Sequence, residues 1–505
     1  MTKNTQDTSF VTGADKHQDN TTYTDNGALS NGMADISLTE SWNARISLFF
    51  HVVRGFDSER LKKIIDDSLN ESMKDTIILL MHLRDCRGGK GERSLFREAY
   101  KYINEKGIID KFYREKLLFL IPEYGRWDDS VVLCQQRQFV LFKDQIDKDV
   151  KNMNDLKPVS LLAKWMPSEK GMVDKDMGWV SRYCKVAKIS RKQYRQTNSE
   201  LRVYIDIVER LISSGRWEDI NYSKVPSVAF NKLKKAFDNH DHERFDTFLS
   251  LVKKGEAKIN VGQLYPYELT TQPYTDIVQV QWDSLVEKFG SISGSWVPVC
   301  DVSGSMNGMR NVKISPLNVC VGLGLFLAQC NMTPFKDRII TFSEEPTWVN
   351  LNGETGLDHK MKTLINSSWG MNTNVLKMFK LVLDIAVKNK LEYANIPGLV
   401  IFSDMQFDTA DRSNETNLAA ATRIFKEAGY PSHPKLVFWN LSPDTIDFPA
   451  TTKDENVCLV SGYSPALVKS FMNKGDLSVK GMVQDILTSD RYKSVLDVFK
   501  LDKPL

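Results

Sequence analysis

At 505 residues and 57.7 kDa the chain is longer than one hydrophobic core usually serves, so two or three domains are expected. A composition of 42% hydrophobic, 10% aromatic and 26% charged residues excludes a wholly disordered, collagen-like or disulfide-stapled chain. No run approaches the roughly 18 apolar residues of a membrane span, the seven cysteines are scattered without a C-x-x-C pair, and no basic-then-apolar leader opens the chain. These features predict a cytoplasmic protein with reduced thiols and no membrane contact.

The net charge of +3 is unevenly spread, with −4 over residues 1–40, +7 over 41–290 and zero over 291–505. Residues 1–40 are rich in Thr, Asn, Asp and Gly and poor in apolar side chains, which predicts a disordered tail. From 41 to 290 the pattern is helical, in blocks at Met73–Leu83, Leu95–Ile103, Phe112–Ile121 and Phe230–Phe237. Leu201, Tyr204, Ile205, Val208, Leu211 and Ile212 have the spacing of one helical face, preceded by two capping boxes at Ser190–Gln193 and Thr197–Glu200. Successive helices without strand signals predict an all-helical array.

From 291 to 505 the grammar changes to short apolar runs alternating with amphipathic stretches. Trp296–Cys300, Arg338–Phe342, Trp348–Leu351, Gly398–Phe402, Leu436–Asn440 and Val457–Val460 read as strands. Pro316–Gln329, Val375–Val387, Leu418–Glu427 and Pro465–Met472 read as helices. That alternation predicts a doubly wound α/β domain. The short Ser343–Pro346 connection leaves no room for a crossover helix, so Trp348–Leu351 should be an antiparallel edge strand. The fold class expected is multidomain, α followed by α/β.

In such a sheet ligands bind beyond the carboxyl ends of the strands, where strand order reverses. Asp301-Val-Ser303-Gly-Ser305, Trp369-Gly-Met-Asn-Thr373-Asn and Phe402-Ser-Asp404-Met follow or flank predicted strands. Together they offer two carboxylates and three hydroxyls, a hard-oxygen set suited to Mg²⁺ or another divalent cation. The D-x-S-x-S stretch with the later Thr and Asp resembles the metal-ion-dependent adhesion site of a von Willebrand factor A domain. The resemblance implies a Rossmann-like fold, with Ser303 and Ser305 as direct ligands and Thr373 as a direct or state-dependent one. Asp301 and Asp404 would act partly through water, and a partner's carboxylate would complete the coordination.

A second resemblance covers nearly everything after residue 40. Leu83-Arg-Asp-Cys-Arg-Gly-Gly-Lys-Gly-Glu-Arg93, Tyr124-Gly-Arg-Trp-Asp-Asp129, Ala163-Lys-Trp-Met-Pro-Ser168, Tyr194-Arg195, Val225-Pro-Ser227 and Phe402-Ser-Asp-Met-Gln-Phe407 resemble a family of uncharacterised two-domain proteins. That family's layout is similar to the Ro autoantigen, a TROVE-like set of HEAT-type helices followed by a von Willebrand factor A domain. The similarity implies small or misfolded RNA as a partner of the helical region.

Two basic segments are candidates for that RNA. Arg84, Arg87, Lys90 and Arg93 surround Gly88-Gly89, where exposed backbone N–H groups can hold a phosphate; a helix–helix turn with internally paired arginines is the competing reading. Arg182, Lys185, Lys188, Arg191, Lys192 and Arg195 recur mostly three apart, with Tyr183 and Tyr194 interleaved as stacking platforms and no acid between Asp176 and Glu200. His240-Asp-His242 lacks a third ligand and reads as a surface turn. Nucleophilic catalysis is disfavoured because Ser303 lies outside a G-x-S-x-G context, and residues 291–505 hold only His359 and His433. The expected function is non-catalytic: RNA binding by the helical region, with a Mg²⁺-dependent site for a protein partner. An adaptor without nucleic acid is the alternative, and a metal-dependent phosphoryl hydrolase the third.

Overall fold

The computed structural model describes residues 21–24, 26–31, 43–135, 138–292, 294–307, 314–332, 334–342, 345–367, 373–409, 415–472 and 477–501. These residues form two compact units: one from within Met1–Leu79, Gly88–Lys90 and Leu264–Asp490, the other from within Leu80–Arg87, Gly91–Gln263 and Arg491–Leu505. The units therefore divide the chain differently from a cut at residue 290. Among the described residues no helix is long and apolar enough to cross a membrane.

The first unit opens with a hairpin of β1 (Thr21–Tyr23) and β2 (Leu29–Asn31), which corrects the expectation of disorder for that stretch of the tail. Polarity did not prevent order here because the hairpin borrows a partner. Thr24 Oγ1 donates to the Phe407 carbonyl at 2.7 Å, Ser30 Oγ donates to the Phe448 carbonyl at 3.1 Å, and the Asn31 and Phe448 main chains bond each other. The remaining tail positions lie outside the described residues.

The central sheet holds β3 (Trp296–Asp301), β4 (Arg338–Phe342), β5 (Thr347–Asn350), β6 (Gly398–Ser403), β7 (Leu436–Asn440) and β8 (Val457–Ser461). Its spatial order is β5-β4-β3-β6-β7-β8, all parallel except the β4–β5 pair at the edge. All six predicted strands are present within a residue of their expected bounds, including the antiparallel edge. Every residue of β3, β6, β7 and β8 is buried, so these strands read as continuous apolar runs rather than as alternation. The chain leaves β3 toward β4 on one side and later returns as β6 on the other, which puts the switch point between β3 and β6.

Helix Pro316–Cys330 is buried almost all round, starting at a Ser315 cap with Pro316 in the first turn. It lies close to its neighbours because it carries two glycines. A Cβ on Gly324 would sit 2.3 Å from Cys300 Sγ, and one on Gly322 would sit 2.7 Å from the Tyr267 nitrogen. Helix Asp276–Phe289 joins this unit by burying Trp282 and Leu285, and Phe289 meets the Phe326 ring edge-on at 4.9 Å. That packing explains why residues 264–290, helical in pattern, belong with the sheet.

The second unit is helical. The predicted blocks correspond to Arg93–Lys106, Lys111–Tyr124 and Ser227–His240, while Met73–Arg84 begins in the first unit and ends in the second. One expectation fails: the six residues from Leu201 to Ile212 do not share one helix. The Ser190 box caps Arg191–Tyr204, and a separate helix, Val208–Ser213, follows Asp206 in the left-handed region at φ 57°. The apolar spacing continues across the break because both short helices bury their faces in the same unit. None of the seven cysteines forms a disulfide, and six of them are buried.

Within the first unit His51 is buried against Phe448, ring centroids 4.3 Å apart, and donates from Nε2 to the Asp447 carbonyl. Burial lowers its pKa from 6.5 to about 4, with Arg60 and Lys90 contributing. Because the folded-state value lies below the unfolded one, stability is full above pH 6.5 and is lost as pH falls toward 4. The linked loss amounts to about 2–3 kcal/mol between pH 7 and roughly 4.5. Urea unfolding at those two pH values should show His51→Gln losing less stability than wild type by that amount. Equal losses in the two proteins would rule out His51 as the titrating group.

Candidate functional site

Asp301 ends β3 and is fully buried. Its Oδ1 accepts the Ser303 backbone N–H at 3.0 Å, which closes the turn into the 3₁₀ segment Gly304–Asn307. Its Oδ2 accepts the Ser403 hydroxyl at 2.6 Å from the end of the neighbouring β6. Ser303 Oγ lies 3.1 Å from Ser305 Oγ, the former buried and the latter exposed. Asp404 follows β6 directly, 4% exposed, with Oδ1 accepting the Gln406 N–H at 3.1 Å. The next residue, Met405, is left-handed at φ 66°, and Thr445 Oγ1 holds the Asp404 carbonyl at 2.9 Å.

Thr373 is fully buried just before helix Val375–Lys388, and its carbonyl accepts the Asp408 N–H at 2.9 Å. Its Oγ1 has no hydrogen-bond partner among the described residues. A buried hydroxyl left unmatched costs about 1–3 kcal/mol, and this one belongs to a sequence-predicted ligand. The Trp369–Asn372 part of its motif lies outside the described residues.

Burial and the nearby Asp404 carboxylate push Asp301 up to about 7, and the groups opposing that shift are the Ser303 and Ser403 hydrogen bonds rather than any lysine or arginine. The described residues contain no group of three or more His, Cys, Asp or Glu that would hold a metal ion alone. Any cation here must therefore use hydroxyl oxygens as well. Two buried acids and three serine or threonine hydroxyls, the orphan Thr373 Oγ1 among them, are donors of the kind a small hard divalent cation prefers. Ser403 was not a sequence candidate; its place at the last position of β6, beside Asp301, was the signal.

The first basic segment is mostly structural, in both units. Arg84 is 3% exposed and pairs with buried Asp129 through Nε at 2.8 Å and Nη2 at 2.7 Å. Arg97 takes the other Asp129 oxygen at 2.7 Å, and Arg93 reaches Asp128 at 3.5 Å. A Cβ on Gly125 would fall 2.6 Å from Asp129 Oδ2 and 2.7 Å from Arg84 Nε, so the Tyr124–Asp129 motif is built around this ion pair. Arg87 is exposed and donates to the Glu123 carbonyl at 2.9 Å. Lys90, in the sheet unit, is 1% exposed and bonds the carbonyls of Phe49 and Val52 and the Ser461 hydroxyl. Arg84 and Lys90 are thus corrected from phosphate contacts to buried structural cations.

The second segment keeps its charge but loses its stacking platforms. Tyr183 is 2% and Tyr194 3% exposed, Tyr183 stacks on Trp179, and Tyr194 Oη donates to the Pro167 carbonyl at 2.6 Å. Both are core residues because their apolar rings complete the faces of helices Trp179–Ala187 and Arg191–Tyr204. Arg191 and Arg195 share Glu169, whose carboxyl they hold below its ordinary range. Arg182, Lys185, Lys188 and Lys192 are exposed and form no ion pair among the described residues. His240 stacks on Trp217, while His242 bonds Asp238, which fits the surface turn expected there.

Two domain-of-unknown-function models match the chain, DUF2828 over residues 138–293 and DUF7788 over residues 295–497. A relative from Acanthamoeba polyphaga mimivirus, "Uncharacterized protein L728", is 30% identical over 511 residues, covering 90% of this chain and 88% of the viral one. Among solved structures, the crystal structure of the Deinococcus radiodurans Ro (RSR) protein aligns with a TM-score of 0.33 at 10% identity, over 85% of this chain and 91% of that one. That last likeness is loose.

Proposed function

We propose that this chain, which belongs to the same family as the mimivirus protein, is a non-catalytic binding protein that docks a partner's carboxylate through a divalent cation. The cation, Mg²⁺ by the chemistry of the donors, would be held by Asp301, Ser303, Ser305, Thr373 and Asp404. The observation that carries this reading is the buried Thr373 Oγ1, without a hydrogen-bond partner among the described residues, together with two buried acids, Asp301 and Asp404, that raise each other's cost of ionisation at neighbouring strand ends. The resemblance of D-x-S-x-S to a von Willebrand factor A adhesion site supports it independently. Binding is preferred to hydrolysis because His359 and His433, the histidines of residues 291–505, are engaged with the Thr355 and Pro434 carbonyls. A bound cation supplies a point charge that a carboxylate can complete; the serines and Thr373 orient it and the acids neutralise it.

Calorimetric titration of the full chain with MgCl₂ should give binding that Asp301→Asn weakens at least about tenfold and Thr373→Ala weakens less, since a charge outweighs a hydroxyl. Asn is the chosen replacement because it keeps an acceptor for Ser403. Unchanged Mg²⁺ affinity in Asp301→Asn, or no binding by wild type at millimolar Mg²⁺, would remove the reading.

A second reading, RNA binding by the helical unit, is favoured by Arg182, Lys185, Lys188 and Lys192, exposed and outside any ion pair among the described residues. Such side chains gain affinity by releasing phosphate counterions, whatever the base sequence. Reversing Lys185, Lys188 and Lys192 to Glu should flatten the slope of log affinity against log salt by roughly two to three units for single-stranded RNA. Reversing Arg191 and Arg195 should do less, because Glu169 already pairs with both. Filter binding across a salt series separates these outcomes. Wild-type binding no better than an inert protein's at low salt would exclude RNA.

A further inference from the structure

The run of chain that links two of the candidate ligands is gripped by the β1–β2 hairpin, and all of these residues belong to the first unit. We infer that this hairpin is a strap that sets the cation affinity of the site, with Thr24 and Asn26 as its positioning residues. The inference rests on the divalent-cation reading and deepens it by naming what regulates that site.

Three observations carry it. First, the run Met405–Asp408 ties together ligands that come from separate elements. The Gln406 N–H donates to Asp404 Oδ1 at 3.1 Å, and the Asp408 N–H donates to the Thr373 carbonyl at 2.9 Å. A shift of this run therefore moves Asp404 against Thr373. Second, the hairpin bonds the same run residue by residue. Asn26 Nδ2 donates to the Gln406 carbonyl at 2.7 Å, Thr24 Oγ1 donates to the Phe407 carbonyl at 2.7 Å, and Gly27 pairs with Asp408 in an antiparallel bridge. Thr24 Oγ1 also accepts the Ala28 N–H at 3.0 Å, so one hydroxyl closes the turn and fastens it to the run. Third, the far end of the hairpin holds the segment that fixes the Asp404 main chain. Asn31 and Phe448 exchange backbone bonds at 3.3 and 3.0 Å, shortly after Thr445, whose Oγ1 donates to the Asp404 carbonyl at 2.9 Å. Two strands of three residues each make a hairpin that is marginal by itself, so its docking depends on these bonds and is open to change.

Coupling of this kind is reciprocal: what docking does for the cation, the cation does for docking. Calorimetric titration of the full chain with MgCl₂ should show Thr24→Val combined with Asn26→Ala weakening the affinity about tenfold, inside the ordinary range for linked sites. Thr24→Ser, which keeps both bonds of the hydroxyl, should bind Mg²⁺ as wild type does. The second readout is hydrogen exchange of the full chain, followed by mass spectrometry on peptides covering residues 21–31 and 441–448. Exchange there should slow when Mg²⁺ saturates wild type, and should respond less in Asp301→Asn at the same concentration. A hairpin that merely covers the surface would give no such response. Circular dichroism checks that the double variant folds, and the wild-type exchange result decides the matter if it does not. Wild-type Mg²⁺ affinity in the folded double variant would overturn the strap and leave the cation reading standing. Exchange indifferent to a cation that calorimetry shows to bind would do the same. Failure of wild type to bind Mg²⁺ at all would overturn both.

Discussion

The Ser403 hydroxyl bonded to Asp301 across the β3–β6 pair is the interaction on which the candidate site depends. It joins the ends of two parallel strands at the point where the chain reverses its direction of winding. Because both residues are buried, the bond holds one Asp301 oxygen in place, while the Ser303 N–H holds the other. Asp404 is then carried to the site by the same strand that carries Ser403. The outcome is two buried acids at neighbouring strand ends, where burial and the Asp404 charge together disfavour ionisation of Asp301.

Much of this was legible in the sequence. The strands of residues 291–505 announced themselves as short apolar runs, and the brevity of the β4–β5 connection gave away the antiparallel edge. The positions of Asp301 and Asp404 followed, since each comes at or directly after the end of a buried strand. What escaped was which packing partners the helices choose. Helix Asp276–Phe289 has the same periodicity whether it packs on other helices or on Pro316–Cys330, and no local pattern records that Gly322 admits the Tyr267 backbone. The β1–β2 hairpin was hidden for the same reason: its order comes from bonds to Phe407 and Phe448, nearly four hundred residues away.

The basic residues illustrate the limit of spacing most clearly. Arg84 and Arg182 look alike in the sequence, yet one is a buried partner of Asp129 and the other is exposed. Glu169 neutralises Arg191 and Arg195 from outside the stretch that seemed free of acids. Tyr183 and Tyr194 were legible as aromatic but not as buried, because helical spacing alone does not say which face meets the core. The cavity they help to wall arises only when three helices come together.

Whether Thr373 and the Asp301–Asp404 pair share a cation decides between a binding site and a purely structural cluster. Crystals of the full chain soaked in MnCl₂ and measured at the manganese absorption edge give the direct answer. The prediction is an anomalous peak in contact with the oxygens of Ser303, Ser305 and Thr373 at about 2.0–2.2 Å, the range expected for a small hard divalent ion. An empty site at saturating Mn²⁺, with Asp301 and Asp404 sharing a proton instead, would contradict it.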